Sequence, residues 1–205
     1  MRNLISDEEK ESIALKYYKR IVNAKYKALK DLNDMINLKG SQIQNFSLDS
    51  TTLATLLNNL IRIRMKAEFE DESEVHFDKV NRLVCMKIEK KAVIRFNKMD
   101  KNLKISSAIT KQAKSFESQL SIEGLDDSMT LLYSGYIIDS TWSSFKNIFL
   151  VCRKGEHVIW YRDLTSDMTQ LRIIFDENQK GDNQRKGLKF KNNNDNNEEQ
   201  TGTDG

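Results

Sequence analysis

The chain has 205 residues, of which 39% are hydrophobic and 31% charged, with a net charge of +3. That balance is globular and excludes a highly charged chain unable to build a core. No apolar run approaches the roughly 20 residues that cross a bilayer, and Met1–Asp7 has no apolar leader stretch, so a cytoplasmic protein without membrane association is expected.

Ser6-Asp7-Glu8-Glu9 has the pattern of a capping box, in which Ser6 and Glu9 each bond the other's amide. Beyond it Ile13, Tyr17, Ile21, Ala24, Ala28, Leu32 and Met35 recur every three or four residues. That spacing predicts one long helix ending near Leu38, with Gly40 as its stop. Such a helix is about 45 Å long, so its stripe needs a partner. Residues 49–66 offer one: Asp49 or Ser50 caps a second helix bearing Leu53, Leu56, Leu57, Leu60, Ile61 and Ile63. A helical hairpin is the first reading, and a dimeric coiled coil its competitor.

After the acidic stretch Glu68–Glu74 the period changes. Leu83–Ile88 and Ala92–Phe96 read as strands, Asn97–Asn102 as a loop, and residues 110–120 as a short helix with Ala113, Phe116 and Leu120 inward. Thr130–Ile138, Asn147–Arg153 and His157–Arg162 are three further strands, the last two joined through Gly155 in a hairpin. Leu171–Phe175 could add an edge strand or short helix. From residue 177 the chain turns polar and asparagine-rich, which predicts disorder. The expected organisation is therefore α+β: a helical region at 1–66, a core at 67–176 with a mainly antiparallel sheet and one short helix, and a disordered tail at 177–205. Cys85 and Cys152, each in an apolar run, read as buried thiols.

Charge is unevenly placed. Residues 79–114 carry eleven bases against two acids, Glu89 and Asp100. Lys87, Lys90, Lys91, Arg95, Lys98, Lys101 and Lys104 are thus candidate contacts to nucleic acid, although a solvated face would carry the same residues. Only two histidines occur, His76 and His157, without metal-ligand spacing, so no metal cofactor is expected. Asp78 followed by Glu89-x-Lys91 resembles the motif of the PD-(D/E)XK nuclease superfamily. That resemblance implies Mg²⁺ held by the carboxylates of Asp78 and Glu89, with Lys91 steadying the attacking water. Glu89-Lys90-Lys91 is equally an ordinary hairpin turn.

Three stretches resemble an uncharacterised family of small bacterial proteins over roughly residues 75–165. They are Val93–Asp100, Gly135–Asp139, and Ile148–Cys152 leading to Ile159–Leu164. The chain departs from that family at Arg153, where a proline is expected. The resemblance implies a setting beside antitoxin-like genes, and no catalytic residue carries over. The sequence thus points first to a partner-binding component of a toxin–antitoxin or phage-defence module. In that reading the N-terminal helices meet a protein partner or a second copy. A Mg²⁺-dependent nuclease and a sequence-nonspecific nucleic-acid binder are the alternatives.

Overall fold

Ser6 closes the first turn of α1 (Asp7–Asn37): its Oγ accepts the Glu9 N–H and Glu9 accepts the Ser6 N–H, both at 3.2 Å. The structure, a computed structural model, describes residues 2–38, 48–80, 83–105 and 110–166. Gly40, Leu171–Phe175 and the tail lie outside them. Asp49, rather than Ser50, caps α2 (Ser50–Glu68) by accepting the Thr52 N–H at 2.7 Å. Asp31–Arg64 and Lys27–Glu68 ion pairs join the two helices, the second at 2.7 Å. Among the described residues no helix is long and apolar enough to cross a membrane.

Six strands follow: β1 (Val75–Val80), β2 (Leu83–Ile88), β3 (Ala92–Lys98), β4 (Thr130–Ile138), β5 (Phe145–Lys154) and β6 (His157–Asp163). They form one sheet in chain order, antiparallel except for the parallel pair β3–β4, whose crossover carries α3 (Lys111–Glu117). Alternation divides the sheet's side chains between two layers. Ala92, Ile94, Phe96, Leu132 and Tyr136 face α1 and α2, whereas Val93, Leu131, Tyr133 and Val151 pack with Phe116 of α3. Covered on both faces, β4 is buried almost throughout and shows no polar–apolar alternation.

The α1 stripe therefore finds its partner in the chain's own sheet. Ile13, Tyr17, Ile21, Ala24, Ala28 and Leu32 are all buried there, while Met35 is half-buried. The helices are a layer of the fold and not an appendage. Cys85 and Cys152 are free and buried in opposite layers, and burial raises both thiols to about 11.

Three expectations change locally. β1 escapes the sequence reading because as an edge strand it buries only Val75 and Val80 and exposes His76, Asp78 and Lys79. In α2 Ile63 is 63% exposed; the core is met by Leu57, Ile61 and Met65. After α3, Leu120 is exposed and Gln119 takes the inward place, its left-handed φ of 55° turning the chain. The Gln119 amide accepts the Leu131 N–H at 2.9 Å and donates to the Leu131 and Arg153 carbonyls at 2.6 and 2.9 Å. One side chain so extends the β4–β5 ladder a step past Leu132↔Cys152.

The β2–β3 turn places Glu89 at φ 51° and Lys90 at φ 53°, a conformation that usually selects asparagine or glycine. Glu89 is held there by Lys16 at 2.7 Å and by the Tyr17 hydroxyl at 3.1 Å, both from α1. Lys90 is exposed and has no such anchor. Lys90→Gly is expected to raise unfolding stability by about 0.5–1 kcal/mol, measured by urea titration.

Candidate anion-binding site

The residues that suggested a metal-dependent nuclease are not brought together. Asp78 faces Cys85 across the β1–β2 ladder, four residues short of Glu89 and so about 13 Å from it along the strand. Each group has its own partner: Asp78 with Lys87 at 2.7 Å, Glu89 with Lys16 at 2.7 Å, and Lys91 with Glu9 at 3.4 Å. The Lys87 bond holds the Asp78 carboxyl below its usual range, and the Lys16 bond does the same for Glu89. Among the described residues no three His, Cys, Asp or Glu side chains are grouped to hold a metal ion.

The basic segment divides as well. Lys90 and Lys91 sit at one end of β3 and Lys98 at the other, about 23 Å away. Lys87 is neutralised by Asp78. What remains lies along the second half of β3, Arg95 on the α3 side and Lys98 on the helix side. Among the described residues β2 and β3 pair from Met86↔Ile94 to Ile88↔Ala92, whereas β3 runs on to Lys98, so Arg95–Lys98 have no ladder partner in β2. α2 passes this open edge in the reverse direction. Its Ser50 hydroxyl accepts from Lys98 Nζ at 3.0 Å, and Asn58 and Asn97 line a common cavity of about 410 Å³. Farther along, burial and then the like charge of Arg95 push the Arg62 guanidinium below its ordinary value.

The Arg95 guanidinium lies over the Phe116 ring at 5.2 Å on the α3 side, and Lys98 Nζ over the Trp142 ring at 4.6 Å on the helix side, so aromatic faces hold both charges in place. Arg62 Nε and Asn97 Oδ1 are buried without a hydrogen-bond partner. Lys101 and Lys104 extend the rim as exposed residues. Asp100 also lines the cavity, and its carboxylate is engaged with the Asn102 and Lys104 N–H groups at 2.8 and 2.9 Å. No family model matches the chain, and neither a curated protein nor a solved structure is similar to it.

Among the described residues, the half-buried bases Arg20, Arg64, Lys87 and Arg162 each meet a carboxylate. Arg62, Arg95 and Lys98 are half-buried and meet none. Arg62 and Arg95 are neighbouring cations partly removed from water without a counter-ion among the described residues, an arrangement that an anion stabilises, while Lys98 lies on the helix side of β3 against Trp142 and Ser50. Arg95, Lys98, Lys101 and Lys104 were legible as candidates from local charge excess. Arg62 and Asn58 were not, because they lie in a helix read for its leucines; their i, i+4 spacing on one face was the available signal. The helical region retains Leu15, Leu38 and Ile63 as exposed large apolar residues.

Proposed function

We propose that this chain binds nucleic acid through backbone phosphates at the open edge of β3, without a catalytic step. The observation that carries this reading is the pair Arg62 and Arg95, adjoining half-buried cations that meet no carboxylate among the described residues, with Lys98 a further such cation at the end of β3. Phosphate oxygens would satisfy the buried Arg62 Nε and relieve the repulsion between Arg62 and Arg95. Lys101 and Lys104, exposed beside the same cavity, supply further sequence-independent attraction. No exposed aromatic platform accompanies these cations, so contact is through phosphate and sugar, and discrimination among bases is weak.

The test is fluorescence anisotropy with labelled oligonucleotides of several sequences across a salt series, without metal. Affinity falls linearly on a logarithmic plot, with a slope of about 0.9 per phosphate neutralised on a duplex. Arg95→Met and Lys98→Met each weaken binding alike for all sequences and reduce the slope by about one phosphate. Lys90→Met, at the far end of β3, leaves the slope unchanged. Absence of binding at low salt, or equal losses from Lys90→Met and Lys98→Met, would overturn the assignment.

A further inference from the structure

Among the described residues β1 is an open edge of the sheet, paired only with β2. Val80↔Leu83 is the pair that adjoins the β1–β2 connection, and the ladder alternates from there, so His76, Asp78 and Val80 bond to β2. Val75, Phe77 and Lys79 point their backbone groups outward. Val75 N–H donates instead to the Glu72 carbonyl at 3.1 Å, and Lys79 N–H to Asp78 Oδ1 at 2.7 Å. Phe77 N–H has no acceptor among the described residues. Above this edge, between β1 and the C-terminal half of α2, lies a groove of about 530 Å³ whose apolar lining of Ile63, Ala67, Phe69, Val75 and Phe77 is rimmed by Lys66, Glu70 and His76.

An unpaired strand edge beneath an apolar groove fits another extended strand, and the sequence of β1 selects which. In an antiparallel pairing of two identical edges, facing residues share a face of the sheet, so the two-fold axis must pass through a residue. An axis at Asp78 would oppose two carboxylates. An axis at Phe77 stacks Phe77 against its own copy, places Val75 against Lys79, and sets each His76 imidazole opposite an Asp78 carboxylate. It also makes Phe77, with its free N–H, the residue that exchanges both backbone bonds with its counterpart. Asp78 can then turn from the Lys79 amide to the imidazole, releasing that amide to the new ladder.

We propose that the protein self-associates through β1 in this register, joining two six-stranded sheets into one and covering Ile63 and the groove from both sides. The occupant of the groove is a second copy of this chain. The surface is separate from the cations at the open edge of β3, so the dimer does not depend on nucleic-acid binding.

Sedimentation equilibrium of the full chain, without nucleic acid, tests it. The expected result is a reversible monomer–dimer equilibrium. His76→Asp sets like charges against Asp78 twice across the axis and weakens dimerisation about tenfold. His76→Arg preserves it, and Ile63→Glu disrupts it. His76 and Ile63 are both exposed, so circular dichroism of these variants should show unchanged folding. A chain that stays monomeric at its highest soluble concentration overturns the proposal. So does a dimer whose affinity is indifferent to His76→Asp and Ile63→Glu, which would place the contact elsewhere.

Discussion

Lys25→Met is expected to stabilise the protein by about 1–4 kcal/mol at neutral pH, an unusual sign for a substitution at a fully buried residue. Lys25 projects from α1 into the core between the helices and β4, and none of its surface is exposed. Its amine donates to the Ser134 and Gly135 carbonyls at 2.9 and 3.1 Å and lies 5.2 Å from the Tyr136 ring centre, with no carboxylate among the described residues to receive it. Burial alone drives its pKa well below the ordinary value of 10.5. Methionine has a similar length and no charge to lose. The two carbonyls belong to a strand paired on both sides, so they keep their ladder environment when the amine is gone.

The pH dependence separates this explanation from simple repacking. With its folded-state pKa depressed, Lys25 binds a proton more readily in the unfolded chain. Its contribution is therefore most favourable above 10.5 and is lost as pH falls toward the depressed folded value. In urea titrations the advantage of Lys25→Met should be largest near neutrality and should shrink as pH rises toward 10.5. Groups common to both proteins cancel in that difference. A constant gap across the range, or a less stable methionine variant, would contradict the uncharged buried amine.

Lys25 also marks where sequence reading stops. Its neighbours on α1 were placed correctly because apolar periodicity is local and the helix repeats it over eight turns. Lys25 lies between Ala24 and Ala28 on that same inward arc, but a lysine normally reaches water from such a position, and only the width of the sheet prevents it here. The strands of the second half were legible for the same local reason. What was not legible depends on which elements meet. α1 and α2 look self-sufficient as a hairpin until the sheet is placed under them. Asp78, Glu89 and Lys91 look like a constellation until the β1–β2 register puts the carboxylates at opposite ends of a strand pair. The candidate anion site needs a helix and a strand from distant parts of the chain, together with a ladder that ends early, and no local pattern encodes that.

The other large effect is expected at Gly135, on β4 opposite Asn97 of β3. A Cβ built there would lie 2.2 Å from Met99 Sδ, 2.7 Å from Cε and 3.0 Å from Cγ. Met99 is 3% exposed and packs in the α3-side layer, so its side chain must leave that packing to make room. Gly135→Ala should therefore cost about 1–3 kcal/mol through overpacking. Met99→Ala alone should cost about 2–5 kcal/mol through the cavity it leaves. Together they relieve each other, because the new methyl enters the space that Met99 vacates. The double variant should fall short of the sum of the two losses by about 0.5–3 kcal/mol in a double-mutant cycle read by urea unfolding. Function should follow the same pattern. Met99 adjoins Lys98, its N–H donates to the Tyr136 carbonyl at 2.9 Å, and it lines the cavity shared with Asn97. Displacing it by Gly135→Ala should shift Lys98 and weaken oligonucleotide binding, and removing the clash in the double variant should restore much of that loss. Strictly additive stabilities would mean that Met99 moves aside freely, and that the close approach of the two residues is not what requires glycine.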